Sequence, residues 1–289
     1  MRATSASMDT SYDFCADLVR RRDRDRYIAG LFAPAELRPH LYALYAFNQE
    51  IGRVCDTVSD ALPGEIRLQW WHDAIGGTEH GDVRANPVAR SLLETIERFG
   101  LSRTAFHNMI EARTFDFYDD PMPTLVDLEC YAGETASALI ALAAHILGGQ
   151  CRADVIEVAT DAGMAKAFTD LLVALPYHAS RRQLYLPGDM MKRAGVSPED
   201  VFARQMTPGL ELVLDELRQE ARRHLDRTRQ AIACVSKSIA PAFLEVSLVE
   251  WYLRQMEKPG YKPFTTRLAP SPFRRQWILW RAAVACQKS

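Results

Sequence analysis

The sequence has no CxxC pair, no glycine-rich phosphate loop, no strand-type alternation of useful length, no secretory apolar region and no surplus of one charge. Each absence excludes something. A formal net charge of -2 over 289 residues lacks the concentrated basic excess of phosphate-backbone binders, so no nucleic-acid partner is expected. The six cysteines (Cys15, Cys55, Cys130, Cys151, Cys234, Cys286) stand far apart without metal-ligand spacing. Most fall within apolar helical patterns and read as reduced core thiols rather than a disulfide framework. The most apolar run, Ala136 to Leu147, is shorter than a bilayer span and contains His145, so no transmembrane segment is expected. Asp9 and Asp13 arrive too early for the opening MRATSASMDTSYDF to be a transit peptide.

What is there is helical. At 48% apolar and 25% charged, the chain has the composition of a globular domain with a substantial core. Its organising stretch is Leu41 to Trp71. Leu41, Leu44, Tyr45, Asn48, Ile51, Val54, Cys55 and Val58 recur at three- and four-residue steps, which predicts a central helix with one buried face. Near its end Asp56 and Asp60 lie four apart on one face, where two carboxylates can share a divalent cation. The competing reading is a solvated helix end closed by Pro63-Gly64.

Along the rest of the chain, residues 1–12 are expected to be disordered, and a first helix starts near Ser11 or Asp13. The block RRRDRDR at 20–26 alternates in sign and reads as a solvated helix end. Helices follow from Ile66 to Gly76, from Pro87 to Phe99, over 104–118, from Thr124 to Leu147 and from 153 to 175, where Pro176 is expected to stop the last one. The run Tyr131-Ala132-Gly133-Glu134-Thr135-Ala136-Ser137 is small enough for another helix or a ligand to come close. A long amphipathic helix over 209–232, another at 238–256 and a terminal helix complete an all-α, single-domain bundle. In the terminal helix Phe273, Trp277, Trp280 and Val284 form a stripe flanked by Arg274, Arg275 and Arg281. Packing as the last helix of the bundle is the main expectation, and seating on an anionic membrane surface the alternative. His72, His145 and His178 have no zinc-type spacing and read as structural.

The blocks LFAPAELRPHLYALYAF (31–47), ECYAGETAS (129–137), GMAKAFTDLL (163–172) and RRQLYLP (181–187) carry a resemblance to the squalene/phytoene synthase family, extending from about Asp13 to Ala283. The resemblance implies a domain over 13–289 with the isoprenoid (terpenoid) synthase fold and a central cavity. In that family two aspartate-rich motifs on facing helices hold Mg²⁺ ions that grip a prenyl diphosphate, and an apolar cavity shields the cation formed when diphosphate leaves. If the chain is active in this way, Asp56 and Asp60 are the metal ligands, and Arg53, Tyr131, Asp170, Arg181, Arg182 and Tyr185 bind diphosphate or substrate.

The sequence departs from the family pattern where the chemistry should be. Counting back from Tyr185-Leu186-Pro187, the Gln, Asn and two acidic positions of the second motif hold Ala167, Asp170, Ala174 and His178, so both acids are gone. Without a gap, the first motif falls on Gly52 and Asp56; a gap restores Asp56 and Asp60. Losing one charge-stabilising group can cost about 3–4 kcal/mol of barrier, and a rescue would have to come from Asp170 and Asp116. The run FNQEIGRVCDTVSD…EIRLQWW resembles a divergent branch that includes mitochondrial complex I assembly factors and bacterial relatives. The resemblance therefore implies a non-catalytic assembly-type factor or prenyl-lipid binder, with a respiratory-complex subunit as partner. Its place is the cytoplasm of a bacterium, peripheral to the membrane, or the mitochondrial matrix of a eukaryote. The alternative is an active Mg²⁺-dependent transferase condensing farnesyl or geranylgeranyl diphosphate head to head.

Overall fold

The segment expected to be central is central, although it is shorter than its periodicity suggests. In the computed structural model the described residues are all but Met1, 58–60, 79–81, 119, 149–151, 233–234 and Ser289, and all but the side chains of 2–9 and 287–288. Helices α1 (Arg2–Arg22) and α2 (Arg24–Gly30) lead into α3 (Arg38–Gly52). Residues His40 to Asn48 of α3 are all buried, and a helix buried around its whole circumference must be wrapped by others. Phe47 meets the rings of Trp71 and Phe106 edge-on at 5.2 and 5.4 Å, within the range where aromatic pairs add to plain burial. Among the described residues there is no strand, in agreement with the all-α expectation.

Helix α1 starts upstream of the expected Ser11 or Asp13. The expected disorder of residues 1–12 falls largely on residues whose side chains lie outside the described set. Helix α3 stops at Gly52, where Arg53 leaves helical geometry (φ -111°, ψ 6°), and Asp56 is carried instead by a single turn, α4 (Val54–Thr57). Asp60 lies outside the described residues. Pro63 and Gly64 do not close this helix. They sit in the first turn of α5 (Ala61–Gly76), where a missing N–H costs nothing because it has no partner within the helix. Gly64 is tight against Phe117, whose ring carbon would lie 2.2 Å from an added Cβ.

Next come α6 (Pro87–Phe99), capped by Asn86, and α7 (Arg103–Ala112), capped by Ser102, with a 3-10 turn over Arg113–Phe117. Thr124 opens α8 (Leu125–Ala132) through a reciprocal capping box with Asp127, worth about 1 kcal/mol. A π turn, Gly133–Ser137, joins α8 to α9 (Ala138–Gly148). As one run, Leu125–Gly148 is the only helix among the described residues long and apolar enough to cross a membrane, against the expectation of none. Over half of its most apolar window, 56%, is buried inside the protein.

Helix α10 (Ala153–Ser180) continues through Pro176 instead of stopping there. Leu172, Leu175 and Ala179 are buried on either side of the proline, and that packing outweighs the roughly 3 kcal/mol an interior proline costs. The remainder is α11 (Gly188–Arg193), α12 (Pro198–Phe202), α13 (Pro208–Ala231), a 3-10 helix over Lys237–Leu248, α14 (Val249–Met256) and α15 (Pro272–Lys288).

Three surface expectations are corrected. Of the four described cysteines, all free, only Cys15 is buried, while Cys130 is exposed. The charged block at 20–26 is not wholly solvated: Asp23 and Arg26 turn inward, with side chains only 11% exposed. In α15 the buried residues are Leu279 and Ala283, packed with Ala29, Leu244 and Leu248, whereas Phe273, Trp277 and Trp280 face out.

Candidate functional site

A cleft of about 210 Å³ opens where α4, the Arg113–Phe117 turn, α8 and the end of α10 converge, and Asp56, Asp116, Tyr131, Asp170, His178 and Tyr185 are among its lining residues. The π turn helps build it. Gly163 of α10 lies against the turn so closely that a Cβ would come within 2.3 Å of the Ser137 backbone. Ser137 Oγ donates to the Thr160 carbonyl at 2.9 Å, and Thr135 Oγ1 donates to the Tyr131 carbonyl at 2.6 Å, satisfying a group at the irregular turn. The small residues singled out in the sequence thus permit a close helix approach, and Tyr131, one turn earlier, is aimed into the cleft.

At its floor lies Asp116, 5% exposed. Its Oδ1 accepts from Tyr131 OH at 2.9 Å and Tyr185 OH at 2.7 Å, while Arg113 Nη1 lies 3.4 Å from Oδ2. Arg113 Nη1 also donates to Tyr131 OH at 2.7 Å, and Gln183 Nε2 donates to the Asp116 carbonyl at 3.0 Å. Burial pushes both phenols upward, and the neighbouring carboxylate adds to this. Burial opposes the Arg113 charge, but Tyr131 and Asp116 more than offset it and hold its pKa above the ordinary value. Buried and hydrogen-bonded to one another except at Arg113 Nε, which has no partner among the described residues, these groups hold each other in place.

The mouth is closed by α10. Tyr177 OH donates to Asp56 Oδ1 at 2.6 Å, Arg181 Nη2 donates to the Cys55 carbonyl at 2.9 Å, and Arg181 Nε stands 3.9 Å from Asp56. His178 packs against the Tyr185 ring, centroids 4.7 Å apart, and burial drives its pKa down to about 4. It faces the cleft as a neutral ring. Asp170 is tied to Lys166, whose charge is opposed by burial but sustained first by Asp170 and then by Glu245.

From Lys166 the charges continue inward. Arg26 Nη1 donates to Asp23 Oδ2 at 2.7 Å and Nη2 pairs with Glu245 Oε1 at 2.9 Å, under the Tyr45 ring. Gln49 Nε2 donates to Asp23 at 3.1 Å. Burial raises the Glu245 pKa; for Asp23 it acts in the same direction, but Arg26 reverses the outcome and lowers it.

Of the residues proposed from sequence, Asp56, Tyr131, Asp170 and Tyr185 line one cleft, and Arg181 reaches Asp56. Arg53 is exposed and does not line it. Arg182, at φ +57°, stacks over Phe202 at 4.4 Å, away from the cleft. Arg113, Tyr177 and Gln183 were not foreseen. The only sequence signal was Arg113 lying three residues before Asp116. Among the described residues no three His, Cys, Asp or Glu groups are placed to hold a metal ion. Asp56, Asp116 and Asp170 each already serve a phenol or a cation, and Asp60, the other metal ligand that the family resemblance implies, lies outside the described residues.

Comparison with known proteins places these features. Over 263 residues the chain is 32% identical to the complex I assembly factor 6 of Rattus norvegicus, covering 91% of this chain and 78% of that protein. It is 22% identical over 266 residues to the chloroplastic phytoene synthase 2 of Solanum lycopersicum, covering 90% of this chain and 86% of that protein. A crystal structure of a dehydrosqualene synthase in complex with ligand superposes with a TM-score of 0.82 at 19% identity, covering 98% of each chain. The model of the squalene/phytoene synthase family matches residues 19–281. The chain belongs to that family.

Proposed function

We propose that this protein is a non-catalytic member of its family that acts as a complex I assembly-type factor, with a respiratory-complex subunit as its partner. The observation that carries this reading is the engagement of the cleft carboxylates. Asp56 is held by Tyr177 and Arg181, Asp116 by two tyrosines and Arg113, and Asp170 by Lys166. A diphosphate with its metal ions would have to displace all of these. The greater similarity to the rat assembly factor than to the tomato phytoene synthase, 32% against 22%, supports the same side.

Size and charge also disfavour a prenyl chain in this cleft. The cleft, at about 210 Å³, is below the roughly 300–1,000 Å³ of usual ligand sites. The Lys166–Asp170 pair leads inward to Arg26 and Glu245, so charge rather than hydrocarbon lies beyond it. In a eukaryote such a factor works in the mitochondrial matrix, and in a bacterium on the cytoplasmic side of the membrane holding the complex.

The convergence of Asp56, Tyr131, Asp170 and Tyr185 on one cleft favours a second reading, an active prenyl-diphosphate transferase. Incubating the purified protein with farnesyl and geranylgeranyl diphosphate, with and without Mg²⁺ and NADPH, separates the two. The proposal expects no diphosphate release above a protein-free blank. Metal-dependent turnover that disappears in Asp56→Ala would overturn it. In cells of the source organism lacking the chain, assembled complex I should fall, and both wild type and Asp56→Ala should restore it.

A further inference from the structure

The terminal helix presents its aromatic side to solvent. Leu279 and Ala283 of α15 are buried against Ala29, Leu244 and Leu248, and a neighbouring face of the helix, about a third of a turn away, is turned to solvent. On that face lie Phe273, 77% exposed, Trp277, 48%, and Trp280, 47%. The two indoles stack on one another, centroids 5.1 Å apart and planes 28° apart. At about 100° per residue these three and Val284 fall within a narrow arc, and Arg274 and Arg281 border it on one side. Solvent-facing tryptophans in register along a helix have no role in the protein's own core, and a contiguous apolar patch of this kind marks an interaction surface.

Charge identifies the occupant. From Lys258 to Ser289 the chain carries seven Lys and Arg residues and no Asp or Glu, in a protein whose formal net charge is -2. Lys258, Lys262, Arg267, Arg274 and Arg281 are exposed. Indole rings are at home at the level of lipid headgroups, with the ring among the chains and the N–H among polar groups. Cations along the edge of the same helix attract anionic headgroups. Beside the stripe an apolar groove of about 640 Å³ runs between α13, the 3-10 helix and α15, lined by Ile232, Phe243, Trp251, Trp277 and Arg281 among others. It extends the apolar surface that such a layer would cover.

We propose that α15 docks the protein on an anionic lipid surface, with Phe273, Trp277 and Trp280 entering the headgroup layer and Arg274 and Arg281 contacting the headgroups. The contact is independent of any turnover in the cleft, which lies among other helices. It is a peripheral contact rather than a span, since the other apolar side of α15, with Leu279 and Ala283, is packed against the bundle.

The test is co-sedimentation of the full-length protein with vesicles of phosphatidylcholine alone and of phosphatidylcholine with phosphatidylglycerol, at low and high salt. Wild type should bind the anionic vesicles, weakly or not at all the neutral ones, and lose binding as salt rises. Each of Arg274→Gln and Arg281→Gln should weaken binding roughly fivefold, and Trp277→Ser/Trp280→Ser should abolish it with circular dichroism unchanged. Leu212→Ser, which removes an apolar residue 57% exposed on α13, should bind as wild type does. Failure of the folded wild type to bind anionic vesicles would overturn the proposal. So would binding that survives the double tryptophan change, or a wild-type dimer that this change dissolves. Equal binding to both vesicle types would refute the role given to the arginines.

Discussion

Arg26→Met is the sharpest probe of the interior. Arg26 is the shared partner of Asp23 at 2.7 Å and Glu245 at 2.9 Å, with all three side chains at most 11% exposed. Removing one member of a buried pair costs about 3–5 kcal/mol, because the remaining charge has neither water nor counter-ion. Two carboxylates are stranded here, but Lys166 still acts on both, so we expect about 3 kcal/mol. For a chain of this size that is a fall in Tm of roughly 6–10 °C. The loss should depend on pH in a defined direction. Burial already raises the Glu245 pKa above its ordinary 4.5, and Arg26 is the main group restraining it; without Arg26 it rises further. A carboxylate raised in the folded state contributes stability below its unfolded pKa and loses it as pH rises. The deficit of the variant should therefore be smallest near pH 5 and largest at neutral pH and above. Adding Glu245→Gln should recover part of it at neutral pH. Urea unfolding at pH 5 and pH 8 would refute the reasoning if Arg26→Met stayed within about 1 kcal/mol of wild type, or if its deficit did not change with pH.

Gly163→Ala should cost about 2–3 kcal/mol or more, since its Cβ would lie 2.3 Å from the Ser137 backbone, whereas Gly133→Ala, with nothing within 4 Å, should be neutral or slightly stabilising; thermal unfolding distinguishes them. Tyr185→Phe takes a donor from buried Asp116 and should cost about 1–3 kcal/mol by urea titration. Combining it with Tyr131→Phe should depart from additivity, because both phenols serve one oxygen. His40, hydrogen-bonded to Thr95 at 2.9 Å, is pushed down by burial from 6.5 to about 4. The unfolded chain takes up that proton first, so stability should be lost as pH falls from 6.5 toward 4, by up to about 3 kcal/mol. A His40→Gln variant should have a shallower slope, with the part due to buried His178 remaining.

Much of the fold was legible because it rests on local rules. The three- and four-residue period located α3, α6 and α13, and Thr124 was recognisable as a cap. Failures came where packing overrode a local signal. Pro176 read as a stop, yet α10 passes through it, with Tyr177 and Arg181 beyond it fastened to Asp56 and Cys55. Alternating charge at 20–26 read as solvated, yet Asp23 and Arg26 turn inward because Glu245, more than two hundred residues away in sequence, completes their site. Period alone could not say which side of α15 meets the bundle, and the side chosen by its aromatics was the outer one. At the cleft, spacing nominated Asp56 and the family resemblance nominated Tyr131, Asp170 and Tyr185, and the fold brings all four to one cleft. Neither could show that Arg113, Lys166 and Tyr177 occupy those side chains, because each of these contacts depends on the fold.

The π turn at Gly133–Ser137 acts as a phase shifter. A π turn holds one residue more than the α-helical turn it replaces, and one residue is worth about 100° of rotation. Deleting a single residue there would let α8 and α9 fuse into one regular helix, with α9 still clamped by its buried leucines. Helix α8 would then have to turn by about that angle about its own axis. Tyr131 would swing away from Asp116, and Leu128 and Ala132, now buried, would have to be repacked. A family built on this helix can thus gain or lose a cleft tyrosine by a change in length, without altering any residue that the tyrosine touches.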